Sequence, residues 1–400
     1  MEIDKPHLFI EINNKNFIFF VVQYSQNLDF KILEDIKVRS AGVTKGQITD
    51  INMSSQVIKD NLNIIEKKIK YTFKKATIIN DEDNFKCINV SGFKKLAGSQ
   101  ITNENISFIL NNMKRLITTS EPEYSLIHLF NSGFILDKVN LQKLPIGLYG
   151  EFYNHILTFF LLLKNNIKNL KLVLNNCHLE IDRIIFKSFV DGIKQIKKIS
   201  FKEKIILINI SKNKSQISIF NHSSFVYLEK FDFGTDIIMR DVSKLCSLKM
   251  STVERIFSEF NFNNVLDPKE EAHLPKKYFD DEIYRKISLS HFYKIISART
   301  EEIINLIYKK NTNLNYFNNK NQIIHLSFED DNIFDNLKQF FKKQFKSNEE
   351  IFIFKQAKEE YLDSCKASAE LIVRGHEKEA IPVVQTKKSI ISRIFTTIFE

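Results

Sequence analysis

Glycine is scarce in this chain, with 10 in 400 residues. Loops that wrap phosphates depend on it, because the backbone must approach the oxygens closely and present N–H groups at φ values that side chains avoid. Neither a Walker sequence nor a G-x-S-x-G nucleophile turn is written anywhere in the chain. Cysteine is scarcer still, with four. Cys87, Cys177, Cys246 and Cys365 lie far apart with no C-x-x-C pair, which excludes a zinc site and a disulfide frame and fits a reducing cytosol. The nine histidines show no H-E-x-x-H and no paired metal spacing. Of these, His128 and His155 fall in apolar runs and read as hydrogen-bonded core or edge residues. The longest apolar run, Ile156 to Leu163, is far too short to span a bilayer, and Met1 to Pro6 is acidic and polar, unlike a signal peptide. The expectation is a cytosolic chain whose membrane contact is peripheral.

What is present is a large globular protein. At 43% hydrophobic and 26% charged residues the chain is not disordered, and 400 residues allow two or more domains. The net charge of +10 points to an anionic partner, nucleic acid or lipid. The lysines are scattered, and no stripe of alternating arginine and aromatic residues appears, so nucleic acid is not expected.

The middle of the chain, Ile205 to Asp241, reads as a meander: IILINI, the turn SKNKSQ, ISIF, the turn NHSS, then FVYLEKFDFG. Near the start, His7 to Ser25 reads as two strands joined at Asn13 to Asn16. Asp50 or Ser54 can cap a helix whose apolar positions Val57, Ile58, Leu62, Ile65 and Ile69 follow a helical period. From Lys338 to Glu350 the chain is charged; Ile351 to Lys355 reads as a strand, and Ser364 to Gly375 as a helix stopped by its glycine.

The last stretch, Lys387 to Glu400, carries a different signal. Placed on a helix at about 100° per residue, Ile390, Ile391, Ile394, Phe395, Ile398 and Phe399 fill an arc of roughly 180°. Ser389, Ser392, Arg393, Thr396 and Thr397 take the other side, behind Lys387 and Lys388. That is the pattern of a helix lying among lipid headgroups. A final helix packed on its own domain has the same pattern, but a polar linker with Pro382 precedes this one.

Several motifs in order carry a family resemblance. Gly42, Lys45, Gly46, Ile48, Asp50 and Ile51 match Gly-x-x-Lys-Gly-x-Ile-x-Asp-Ile; Ser91 and Gly92 match Ile-Ser-Gly; and Ile101 to Leu116 is similar to an Ile-Thr-x-x-x-Val helix. His128, Phe134, Ile135 and Asp137 follow, then Pro145, Ile146, Gly147 and Gly150. Asn169, Leu170, Cys177, Leu179, Glu180 and Asp182 come next, then Gly234, Asp236, Ile238 and Asp241, and last Ile295, Ile296, Arg299, Glu302 and Ile303. Together these resemble FtsA, the actin-like bacterial division proteins. The resemblance implies an α/β, actin-like, two-lobed fold with an inserted α+β subdomain. It divides the chain into 1–90 (subdomain 1A, start), 91–153 (inserted 1C), 154–200 (return to 1A) and 201–235 (2A, start). The remainder is 236–310 (2B), 311–375 (end of 2A and return to 1A), the linker 376–386 and the membrane helix 387–400.

In actin-like ATPases two glycine-bearing turns hold the phosphates, and an aspartate on each strand end holds Mg²⁺. Here the first turn reads Glu11, Ile12, Asn13 and Asn14, and the second reads Asn209 to Gln216 without glycine. Where the family has an adenosine-side triple glycine, this chain has Leu326, Ser327, Phe328, Glu329 and Asp330. The positions that would line a nucleotide are therefore Asn13, Asn14, Lys15, Ser211, Lys212, Asn213 and Ser327. Lys15, Lys212 and Lys214 remain as point charges for a phosphate or as exposed turn lysines. The expectation is a non-enzyme that uses neither ATP nor Mg²⁺. The resemblance implies an adaptor on the cytoplasmic side of the inner membrane, bound to anionic lipid, to the C-terminal peptide of FtsZ and to other division proteins, and able to self-associate. Arg285, Lys286 and Arg299 are the cations expected to meet the acidic peptide, with Arg299 also suited to an ion pair with Glu302. The alternatives are a pilus-assembly scaffold of actin-like type and a kinase or ATPase of the same superfold.

Overall fold

The computed structural model describes residues 5–27, 29–198, 204–260, 262, 272–279, 283–317, 322–329, 331–345, 350–355 and 360–380. The chain divides into two compact units: 1–201 with 220–227 and 359–400, and 202–219 with 228–358. The membrane helix read at 387–400 lies outside the described residues, as do 381–386. Among the described residues, no helix is long and apolar enough to cross a membrane.

The first unit opens with β1 (Pro6–Ile12), β2 (Asn16–Tyr24) and β3 (Phe30–Arg39). A short ribbon of β4 (Val43–Thr44) and β5 (Gln47–Ile48) leads to α1 (Ile51–Ile69) and β6 (Lys75–Asn80). Of the two caps open to α1, Asp50 is used: its carboxylate accepts from the Met53 N–H at 2.9 Å. With β11 (Glu180–Phe186), these strands form a sheet of order β11-β6-β1-β2-β3. Leu8 to Ile12 and Phe17 to Val22 are buried without a break, so the centre of this sheet is covered on both faces. The helices α3 (Lys164–Asn175) and α4 (Lys187–Lys198) flank β11 in sequence, and α9 (Glu360–Arg374) returns late in the chain to pack with α4.

Between β6 and α3 lies the inserted domain. It holds β7 (Phe85–Lys95), α2 (Asn103–Ser120), β8 (Tyr124–Leu136), β9 (Val139–Leu141) and β10 (Phe152–Leu163), in an antiparallel sheet of order β7-β10-β8-β9. Its first strand starts at Phe85, ahead of the Ser91 boundary drawn from motifs. A reciprocal cap between Thr102 and Asn105 starts α2, whose Ile106, Ile109, Leu110 and Ile117 bury against Leu129, Phe134, Leu157 and Phe159. Gly92 lets the helix approach, since a Cβ there would sit 2.2 Å from Ile109 Cγ2.

The stretch read as a polar linker from His376 is docked up to Ala380. The Asn131 N–H donates to the Lys378 carbonyl at 2.8 Å and the Ala380 N–H to the Leu129 carbonyl at 2.6 Å, so this stretch extends the edge of β8. The edge N–H of Asn131 and carbonyl of Leu129 find partners there, and Ala380 joins the core of the inserted domain.

The second unit carries β12 (Lys204–Ile210), β13 (Ser215–Asn221) and β14 (Ser224–Phe231), the meander expected from the sequence. Helices α5 (Asp236–Leu245), α6 (Met250–Glu259) and α7 (Leu289–Ile304) follow. The unit closes with β15 (Gln322–Phe328), α8 (Asp331–Lys342) and β16 (Glu350–Lys355), giving the sheet order β14-β13-β12-β15-β16. Phe257 of α6, Phe262 and Phe292 of α7 form an aromatic core, with the last two stacked at 5.5 Å. The hairpin tip Phe220–Tyr227 groups with the first unit, where Phe225 stacks on Phe160 at 4.4 Å.

Candidate functional site

The β1–β2 turn is closed by its own side chains. Asn13 Oδ1 accepts from the N–H groups of Lys15 at 2.9 Å and Asn16 at 2.8 Å. Asn14 Oδ1 accepts from the Lys45 N–H at 2.6 Å, and the Lys15 carbonyl accepts from the Ser40 N–H at 3.0 Å. A phosphate-binding turn leaves such N–H groups aimed outward. Asparagine in place of glycine turns two of them inward, onto itself. The preceding carboxylate is committed as well. Glu11 accepts from Asn13 Nδ2 at 2.8 Å and pairs with Lys187 Nζ at 3.3 Å.

The β12–β13 turn is tight and tied to the chain that enters α5. The Ser211 N–H and hydroxyl both donate to the Lys214 carbonyl, at 2.8 and 2.9 Å. The Thr235 N–H donates to the Ser211 carbonyl at 3.0 Å and the Asp236 N–H to the Lys212 carbonyl at 2.9 Å. Gly234 permits this: a Cβ there would lie 2.0 Å from the Ser211 carbonyl oxygen. Because that obstacle is backbone, Gly234→Ala should destabilise the second unit by about 1–3 kcal/mol. Urea unfolding checks it, and an unchanged midpoint means that the turn yields freely.

Lys212 reaches Glu254 at 3.4 Å. Asn209, where a carboxylate would hold a metal's waters, accepts a hydrogen bond from the Ser327 hydroxyl of β15. Next to it Phe328 is buried, its ring 4.9 Å from that of Phe341. Of the positions expected to line a nucleotide, Asn13, Asn14 and Lys15 share the first turn, Ser211, Lys212 and Asn213 the second, and Ser327 the strand interior beside Asn209. Asn13 and Ser211 bond within their own turns, Asn14 to the Lys45 N–H, Lys212 to Glu254 and Ser327 to Asn209.

The expected partner cations are dispersed. Arg285 and Lys286 are exposed in the segment before α7. Arg299 lies within α7 and forms ion pairs with Asp241 of α5 and with Glu302. It binds two helices together.

A buried ion cluster in the first unit escaped the sequence reading. Glu379 sits 2.6 Å from His128 Nδ1 and 2.6 Å from Arg183 Nη2, and all three are buried. His128 Nε2 accepts from the Phe186 N–H at 3.1 Å, so its proton is on Nδ1 and is donated to Glu379. Burial pushes the Glu379 carboxyl upward, but Arg183 and His128 override it and hold the group well below the usual carboxylate range. Burial lowers the His128 pKa, against the pull of Glu379. The four cysteines are free thiols, and no group of metal-binding side chains occurs among the described residues.

Residues 83–152 match the model of the SHS2 domain inserted in FtsA. The cell division protein FtsA of Agrobacterium fabrum (strain C58) is 19% identical over 272 residues, which cover 67% of this chain and 61% of that one. FtsA of Helicobacter pylori (strain J99) is 18% identical over 296 residues, 68% of this chain and 60% of that one. The match thus spans about three-fifths of the length of these relatives. Among solved structures, a chain of the PilM–PilN type IV pilus biogenesis complex is similar in fold, with a TM-score of 0.54 at 8% identity, covering 91% of this chain and 95% of that one.

Proposed function

Because the chain is FtsA-like, an actin-like α/β fold bearing the inserted domain of that family, we propose that it is a cell-division scaffold that works without hydrolysing ATP. It ties FtsZ filaments to the cytoplasmic face of the inner membrane, with residues 387–400 as the lipid-binding helix. The observation that carries this reading is the inserted domain, whose sheet, capped helix and closed core are complete. The self-bonded turns support the part concerning ATP, and the likeness to FtsA supports filament formation and other division proteins as partners.

The FtsZ peptide is expected on the second unit near Arg285 and Lys286, whose charges suit an acidic tail. Arg299 acts there as a positioning residue, since Asp241 and Glu302 already hold it. Fluorescence anisotropy with a labelled FtsZ C-terminal peptide should give saturable binding. The double variant Arg285→Glu/Lys286→Glu should weaken it at least tenfold while circular dichroism stays unchanged. Phosphate release from MgATP should remain at background. Binding untouched by the double variant moves the peptide elsewhere, no binding at all removes the scaffold role, and metal-dependent phosphate release overturns the claim about ATP.

A further inference from the structure

The edge of β8 that β10 leaves open is covered by two pieces of chain set end to end. β9 pairs with Phe134 to Leu136, and the stretch from His376 bonds to Leu129 and Asn131. The second piece is fastened at both of its faces. Glu379 reaches the buried His128 and Arg183, and Lys378 Nζ donates to the Gln142 carbonyl, just after β9, at 2.8 Å. The chain therefore passes Ala380 at a fixed place, on the same edge as β9. Six residues, 381–386, follow before Lys387, a span of at most about 25 Å, so the stretch 387–400 begins within that distance of this edge.

We propose that this edge of the inserted domain is a second lipid contact, lying on the anionic membrane beside the point where the C-terminal segment departs. This rests on residues 387–400 binding lipid, and it names the face of the first unit that they draw to the surface. Lys138 and Lys143 flank β9 and are exposed, as is Val139 at 59%. In the loop that returns to β10, Leu148 is 49% and Tyr149 71% exposed. That loop is tied to the same end of the sheet, where the Asp137 carboxylate accepts from the N–H groups of Glu151 and Phe152 at 2.9 and 2.8 Å. Lysine on an outer strand ordinarily guards it against pairing with another sheet. Apolar side chains standing out beside it work against that purpose in water. The two together suit a headgroup layer, where apolar groups sink in and amines stay at the phosphates. Glu151 and Glu377 are exposed acids near Lys138, Lys143 and Lys378. The edge is thus only mildly basic, and its apolar side chains carry the larger share of the contact.

The test uses the full chain and vesicles of phosphatidylcholine with phosphatidylglycerol. Val139→Glu/Tyr149→Glu should weaken co-sedimentation at least tenfold while the melting temperature stays unchanged, because both side chains are exposed. A fluorophore on Lys143→Cys, in a chain whose half-buried Cys87 is changed to serine, should be quenched by nitroxide-headgroup lipid when vesicles bind. Unaltered affinity of the double variant, or an unquenched label on bound protein, overturns the contact: the C-terminal segment then holds the chain while this edge faces elsewhere. A double variant that alters the size of lipid-free protein in gel filtration also overturns it, by making the edge an interface between copies. Ile394→Glu separates the two attachments. If it abolishes binding, the C-terminal segment stands as the main anchor whatever the edge shows. If it binds as well as wild type while Val139→Glu/Tyr149→Glu does not, the edge stands and the C-terminal anchor fails. A wild type that ignores the vesicles removes both.

Discussion

Glu379→Ala should destabilise the first unit by about 3–5 kcal/mol and lower its melting temperature by roughly 10 °C. Removing the carboxylate takes from the buried Arg183 guanidinium its partner at 2.6 Å and from the His128 Nδ1–H its acceptor. Breaking one side of a buried pair costs more than the pair itself was worth. The double variant Glu379→Met/Arg183→Met removes both charges and should be more stable than Glu379→Ala, which separates charge imbalance from simple loss of packing. A loss below about 1 kcal/mol would mean that water reaches the cluster.

Buried histidines, one of them in this cluster, fix the response to acid. His128 and His376 have pKa values lowered by burial, and burial takes His155, whose Nε2 donates to Asn131 at 2.8 Å, down to about 3. Each binds a proton more readily unfolded than folded. Their contribution is therefore present at neutral pH and is lost as pH falls below the ordinary histidine value of about 6.5, for His155 down to about 3. Glu379, held low by Arg183 and His128, adds to the loss once pH drops through the carboxylate range. Urea midpoints measured from pH 7.5 to 4 should decline below about 6.5, and His155→Phe should flatten the decline. A midpoint level down to pH 5 would contradict neutral buried histidines.

Local patterns carried much of this fold into view. The unbroken apolar runs of β1 and β2, the meander β12–β14 and the period of α1 need only neighbours in sequence. The stop of α9 at Gly375 likewise follows from one residue able to take φ 69°. What stayed hidden depends on partners far along the chain. Lys187 and Asp191, four apart on α4, look like a solvated helix pair until Glu11 arrives from 176 residues away. Glu379 sits in a charged stretch that reads as linker, and its partners lie 196 and 251 residues back. In α8 the buried Phe340 and Phe341 are interleaved with charge, in the stretch from Lys338 to Glu350 that reads as charged. That the β1–β2 and β12–β13 turns carry no glycine is visible in the sequence. That Asn13 and Asn14 fill the turn with their own amides is a matter of geometry.

Ile394→Glu should release the protein from anionic liposomes, weakening binding by about 100-fold, without altering the melting of lipid-free protein. Residues 387–400 number too few for a stable isolated helix, and their isoleucines and threonines weaken it further. On a lipid surface Ile390, Ile391, Ile394, Phe395, Ile398 and Phe399 would each contribute about 1–2 kcal/mol on partial burial, which the ordering of the segment largely offsets. Lys387, Lys388 and Arg393 add roughly 1 kcal/mol each beside anionic headgroups, so binding should weaken as salt rises. A single such segment would then bind weakly and reversibly, while several on one filament would hold firmly because each later attachment is intramolecular. A carboxylate at the centre of the apolar arc removes one of these contributions and sets a charge against the lipid. Co-sedimentation with vesicles containing anionic lipid, at low and high salt, reads the effect directly. If Ile394→Glu instead lowers the melting temperature of lipid-free protein by many degrees, the segment packs on its own domain and the membrane attachment fails.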